Sequence, residues 1–162
     1  MRTTLGFIRT DRQLGVSLLE VMIAVFVTAI GVLGAAAMQL NALKYTDSSR
    51  LSSQASFIVY DVIDRIRANA DPVQLGQYDI ANIGAVPGSA NSVLATDLID
   101  FANAVGTLPG GAGSIDVNGS QVSVEVSWAE GRAGGVDEDG NAQRGELSVT
   151  TSVAVNAVGA AP

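Results

Sequence analysis

The chain has no cysteine and no histidine among its 162 residues. Without cysteine there is no disulfide, no thiolate metal site and no thiol nucleophile. Without histidine the commonest general base and the commonest zinc ligand are missing. Aromatic residues make up 5% and Trp128 is the single tryptophan, so a large aromatic-lined substrate pocket is not expected. Positive charge is scarce as well. Nine Lys and Arg stand against sixteen Asp and Glu, for a net charge of -7. Three of the arginines, Arg2, Arg9 and Arg12, lie at the extreme N-terminus. The rest of the chain is acidic and has no basic patch, which argues against nucleic-acid binding, because phosphate contacts need clustered Lys and Arg. No nucleophile motif occurs and no two carboxylates stand at an identifiable acid–base spacing. No catalytic residue, cofactor or metal ligand is therefore expected, and the chain reads as a protein that is not an enzyme.

Charge of either sign is absent between Glu20 and Lys44. Val21 to Leu43 is an uncharged apolar run, and about 20 such residues span a bilayer core as a helix. Arginines on its N-terminal side place that end in the cytoplasm and the downstream domain outside. A secretory signal peptide is the competing reading, with Ala35-Ala36-Ala37 resembling a cleavage site. Such a signal has a shorter apolar centre, of about 7–15 residues, and no acid within it. A carboxylate costs about 2.5–3.5 kcal/mol at the centre of a membrane helix and less near an end. Glu20 is either an interfacial acid favoured by the helix N-terminus or a functional charge.

Gly15 to Val21 reads G-V-S-L-L-E-V. With the basic leader before it and the apolar run after it, this closely resembles the type III signal of type IV prepilins and pseudopilins. The resemblance implies that a prepilin peptidase cuts between Gly15 and Val16 and methylates the amine of Val16. Glu20 is then the fifth residue of the mature chain. Val16 departs from the Phe or Met usual at that first position. The resemblance further implies that Glu20 meets the N-terminal amine of a neighbouring subunit and sets subunit registration. A buried charge needs a partner, and cleavage creates one. Gly31 and Gly34, in I-G-V-L-G-A-A-A, are small residues of the kind that let membrane helices approach closely. They are the candidate helix-packing positions.

From Ala35 to Asp71 no glycine or proline interrupts the chain. Leu51, Ala55, Ile58, Val62 and Ile66 form an amphipathic stripe. Asp61 with Arg65 and Asp64 with Arg67 are spaced as ion pairs on one helix. Asn69-Ala70-Asp71-Pro72 ends the helix, since proline disfavours helix just before it. A helix from Val16 to about Asn69 would be roughly 80 Å long. Y-D-V-I-D-R-I-R-A-N, from Tyr60 to Asn69, together with I-G-V-L-G and M-Q-L-N-A-L, resembles minor pilins of the PilV type, also called type IV pilus modification proteins. Asp61, Arg65 and Arg67 are read as structural.

Val73 to Asn91 is rich in Gly, Asn and Pro and reads as loop with short turns at most. Ser92 or Thr96 caps a helix carrying Leu94, Leu98, Phe101 and Val105 on one face and ending at Gly106. The glycine-rich Pro109–Gly113 stretch is no phosphate loop, lacking Lys-Ser/Thr and a helix after it. The phrase L-P-G-G-A-G-S-I-D-V again resembles the PilV family. Asn118-Gly119 between Ser114–Val117 and Gln121–Trp128 signals a hairpin. Val122, Val124, Val126 and Trp128 face one side, Ser123, Glu125 and Ser127 the other. Leu147, Val149, Thr151, Val153 and Val155 continue the alternation in a third strand, and Trp128 is a core or edge plug. Asp137, Asp139 and Asn141 have the opening spacing of a calcium loop. The remainder fails that pattern, so Ala129–Gly145 reads as a solvated loop and a candidate contact surface.

The expected fold is α+β and pilin-like: a long N-terminal α-helix, part membrane and part amphipathic, packed on a small antiparallel β-sheet. Its divisions are a leader 1–15, a membrane or filament-core helix 16–43, an amphipathic half 44–70 and a globular head 71–162. The resemblance implies a minor pilin subunit that helps initiate or complete a bacterial type IV pilus. Its partners would be the prepilin peptidase, other minor pilins, the major pilin, the inner-membrane assembly platform and the membrane itself. It would sit in the inner membrane as a single pass, C-terminal domain in the periplasm, and in the pilus after assembly. A pseudopilin of a type II secretion system shares the leader and helix. A membrane-anchored periplasmic binding module is a further alternative.

Overall fold

The computed structural model describes residues 16–71, 73–131, 135, 140–141 and 143–155. The protein is α+β: a long N-terminal apolar helix and a small antiparallel three-stranded sheet, with a second helix between them in sequence. Two compact units divide between Leu40 and Asn41.

Helix α1 runs Leu18–Ala68, 51 residues without interruption. Its start is set by Ser17, whose Oγ accepts from the Glu20 N–H at 3.2 Å. This satisfies one of the N-terminal donors that a helix cannot pair internally. The Asn69 N–H bonds Arg65 O at 3.0 Å, and Asp71 Oδ1 then accepts from the Val73 N–H at 2.7 Å, turning the chain out of the helix. In the first unit every described residue of α1 is exposed. In the second unit α1 is amphipathic: Ala55, Ile58, Val59, Val62, Ile63 and Ile66 are buried. They recur at the three- and four-residue steps of one helix face.

Helix α2, Val93–Gly106, is capped by Ser92, whose Oγ accepts from the Ala95 N–H at 3.1 Å. Thr96 lies inside the helix. Leu98, Phe101 and Val105 are buried and Leu94 is half-buried against the same core. Strands β1 (Ala112–Asn118), β2 (Gln121–Ala129) and β3 (Arg144–Ser152) pair antiparallel in the order β1-β2-β3. On the inner face Val122, Val124, Val126 and Trp128 are buried with Ile115, closing one core with α2 and the buried face of α1. Trp128 is a core residue, and its Nε1 is buried with no partner among the described residues.

Three details differ from the sequence expectation. The β1–β2 register pairs Asn118 with Gln121, so the two loop residues are Gly119 and Ser120 rather than Asn118 and Gly119. Gly119 has φ 62°, at the first loop position, which a type II′ hairpin reserves for glycine. Strand β3 ends at Ser152, because β2 begins at Gln121 and offers no ladder beyond it. Val153 instead gives its N–H to Ser120 O and is buried, while Val155 is only partly so. Finally, 73–91 has the short turns expected of it and goes beyond them in one strand-like bridge. It holds 3₁₀ turns at Leu75–Tyr78 and Ile83–Ala85, and Ile80 bridges Ile115 at the edge of β1.

The glycines after α2 have a packing reason. A Cβ on Gly111 would run into the backbone carbonyl of Val105, with Val105 C at 3.1 Å and Leu108 O at 3.2 Å also in the way. Backbone yields less than a side chain, and overpacking costs roughly 1–3 kcal/mol or more. Gly111→Ala is therefore expected to lower the thermal midpoint by several degrees, read by circular dichroism. An unchanged midpoint would show that the turn has room the geometry does not.

Candidate functional site

Two places concentrate function-bearing chemistry: the start of α1 and a polar cluster in the second unit. At the first, Val16 and Ser17 precede the helix and Val16 is exposed. Glu20 stands in the first turn, on the third helical residue, where an acid opposes the positive end of the helix dipole. Ser17 and Glu20 have the S-x-x-E spacing of a capping box, and the Ser17 half of it is formed.

Downstream, Leu18, Leu19, Val21, Met22, Ile23, Val25 and Phe26 are between 50% and 79% exposed. Water does not tolerate such a contiguous apolar surface uncovered, so this segment needs lipid or other helices around it. Leu18–Ala68 is long and apolar enough to cross a membrane. The one hydroxyl in the middle of the run, Thr28, donates to Ala24 O at 2.7 Å. It therefore carries no unsatisfied donor into an apolar medium. Gly31 and Gly34 are helical and have open space where a Cβ would sit, so a neighbouring backbone has access there. Gly15 lies outside the described residues, as do Asp137 and Asp139 of the calcium-like spacing; Asn141 is described.

The second place was not singled out by sequence. Asp97, on α2, is only 5% exposed. Its Oδ2 accepts from Tyr78 Oη at 2.8 Å and from Asn69 Nδ2 at 2.8 Å. Its Oδ1 takes Arg65 Nη1 at 3.3 Å. Arg65 also reaches Asp61 at 2.9 Å and Asp100 at 2.9 Å. The expected pair Asp61–Arg65 thus exists within a larger network tying the end of α1 to α2 and to the first 3₁₀ turn. Arg67 bonds Asp64 at 3.0 Å, as its spacing implied, and also Thr151 Oγ1 of β3 at 2.7 Å. A signal for Asp97 was present: it sits three after Leu94 and four before Phe101, an acid within an apolar stripe.

Burial, reinforced by its bond to Asp97, pushes the Tyr78 phenol up to about 12 from an ordinary 10.0. The neutral phenol is the form the fold favours. Its contribution is fully present below the unfolded pKa, near 10, and is lost as pH rises through the folded value near 12. Stability is expected to fall across pH 10–12 by an amount on the order of 2 kcal/mol, and Tyr78→Phe should flatten that limb. Denaturant melts at pH 9 and 11.5 on both proteins decide it; equal slopes would remove Tyr78 as the cause.

Residues 10–36 match the family model described as prokaryotic N-terminal methylation motif. No match is found among curated proteins or among solved structures. The match spans Gly15, Val16, Glu20, Gly31 and Gly34. Together with an exposed apolar helix and a small antiparallel sheet, it supports a type IV pilin-like protein, a pilin or pseudopilin subunit. It points to membrane anchoring, processing by a prepilin peptidase and assembly with pilus components, and to a structural subunit rather than an enzyme.

Proposed function

We propose that the chain is a minor pilin of the PilV type in a bacterial type IV pilus. The observation that carries this is the coincidence of the methylation motif over 10–36 with a wholly exposed apolar helix segment whose first turn holds Glu20. In this reading the peptidase cuts between Gly15 and Val16 and methylates Val16. The segment 16–43 lies in the inner membrane and then in the fibre core. The amphipathic half 44–70 and the head 71–162 stand in the periplasm. Gly31 and Gly34 are close-packing positions, and Glu20 receives the amine of the neighbouring subunit. The chain contacts other minor pilins, the major pilin and the assembly platform, and helps to initiate or complete the fibre. The segment that connects β2 to β3 is a contact surface of the head.

Processing is tested by mass spectrometry of the protein extracted from membranes. The expected N-terminus is a methylated Val16; a chain starting at Met1 would leave only a plain anchor. The same leader and helix suit a type II secretion pseudopilin, and the phrases from Tyr60 to Asn69 and around Leu108–Gly111 favour the pilus. A deletion strain separates them: loss of surface pili with secretion intact supports the minor pilin, and the reverse supports the pseudopilin.

A further inference from the structure

The two edges of the sheet are treated differently. On the β1 side, Ile80 N–H donates to Ile115 O at 2.8 Å and Ile115 N–H to Ile80 O at 3.0 Å. Val117 N–H donates to Asp79 Oδ2 at 3.1 Å. That edge is capped by its own chain. The β3 side is not, among the described residues.

The direction of the β3 backbone groups comes from the ladder. Val153 N–H donates to Ser120 O at 2.8 Å and Glu130 N–H to Gln143 O at 2.9 Å. Both pairs continue the register that matches Gln121 with Ser152 and Ala129 with Arg144. Hydrogen-bonded pairs alternate in an antiparallel ladder, so the odd-numbered residues of β3 bond β2. Glu146, Ser148, Thr150 and Ser152 turn their N–H and C=O groups away from the sheet. No protein group meets them among the described residues. Of the usual guards of an edge, strand β3 has no proline, no lysine and no break in register, and its charges are confined to Arg144 and Glu146 at its start.

The side chains along this edge state what fits. On the inner face Leu147 and Val149 are only partly buried, whereas their β2 neighbours Val126 and Val124 are fully so. A further strand would cover them with apolar residues. On the outer face Glu146, Glu125 and Asp116 are exposed acids. Arg144, the cation at the start of β3, is held by Gly110 O at 2.9 Å and Ser127 Oγ at 3.0 Å. The outer side chains of an added strand would lie beside acids. A second copy of this chain, with its net charge of -7, is a poor electrostatic match.

We propose that the free edge of β3 is a docking site for an extended segment of another polypeptide, one that alternates apolar and basic residues and adds as a fourth strand. The apolar residues complete the inner face, the basic ones meet Glu146 and the acids beyond it, and the backbone groups of Glu146, Ser148, Thr150 and Ser152 form the ladder. The site stands whether or not the chain enters a fibre.

The test is residue-level amide exchange on the full chain in detergent micelles. The probes are a nine-residue peptide alternating valine and lysine and one alternating valine and glutamate. With the valine–lysine peptide at saturation, the amides of Glu146, Ser148, Thr150 and Ser152 should slow at least tenfold, those of β1 should not change, and the valine–glutamate peptide should have little effect. Ser148→Pro removes one outward N–H and none of the β2–β3 bonds, and should weaken binding at least tenfold. Glu146→Lys, which alters only an exposed side chain, should shift preference toward the valine–glutamate peptide. Unchanged exchange at the four amides would overturn the proposal, as would undiminished binding by a folded Ser148→Pro. So would protection that rises with protein concentration in the absence of peptide, since that means self-pairing.

Discussion

Glu20→Ala is expected to insert in the membrane as well as the parent chain and to be depleted at least tenfold from sheared fibres. Insertion is not at risk, because removing a carboxylate from an apolar helix lowers a cost of up to about 2.5–3.5 kcal/mol. Assembly is at risk. Truncating one partner of a buried charge pair costs about 2–5 kcal/mol, and about 1.4 kcal/mol is already tenfold. The proposed pairing has to be separated from a second use, because Glu20 stands at the S-x-x-E spacing from Ser17. Glutamine serves a capping box as glutamate does but carries no charge. Glu20→Gln therefore tells the two uses apart. Depletion equal to that of Glu20→Ala assigns the residue to charge pairing between subunits. Parental incorporation of Glu20→Gln would assign it to the helix start and sink the registration role.

The start of α1 was legible because its signals are local. An apolar run, one acid, a serine and a glycine lie within a few turns, and hydrophobic period alone carries the helix through to Ile66. The hairpin was legible for the same reason, yet its turn was misplaced by one residue. Asn-Gly and Gly-Ser are both good turn pairs, and the ladder on either side chose the second. In 73–91 the short turns are legible but the buried residues are not, because Leu75, Tyr78 and Ile80 stand among Gly, Gln, Asp and Asn with no period. Their burial comes from contacts distant in sequence: Tyr78 with Asp97, Ile80 with Ile115. Such partners leave no pattern in a window of ten residues. The open edge of β3 is equally invisible from sequence, since it depends on which strand ends the sheet order. Arg65 shows the boundary well. Its helix partner Asp61 was readable from spacing, while Asp97 and Asp100 required the fold.

Asp97→Ala is expected to be among the most destabilising single changes in the second unit, by about 3 kcal/mol. Losing one partner of a buried ion pair can cost about 3–5 kcal/mol. Arg65, however, has a side chain 36% exposed and keeps Asp61 and Asp100, so its share is screened and partly retained. The larger part comes from Tyr78 Oη, whose buried hydroxyl loses its acceptor on Asp97, while the half-buried Asn69 Nδ2 keeps Tyr78 Oη at 3.3 Å. A buried polar group without a partner costs about 1–3 kcal/mol. For a domain of this size that is a fall of roughly 10–20 °C in thermal midpoint. Asp97→Asn keeps the shape and one acceptor oxygen, and should lose about half as much. The double variant Asp97→Ala/Tyr78→Phe removes both ends of the Tyr78–Asp97 bond, and neighbours in one network couple by about 0.5–3 kcal/mol. It should therefore be less destabilised than the sum of the single changes. Strict additivity would mean that Tyr78 and Asp97 do not support one another, and the cluster would then be three separate contacts rather than the joint that fixes α2 and the 3₁₀ turn to the end of α1.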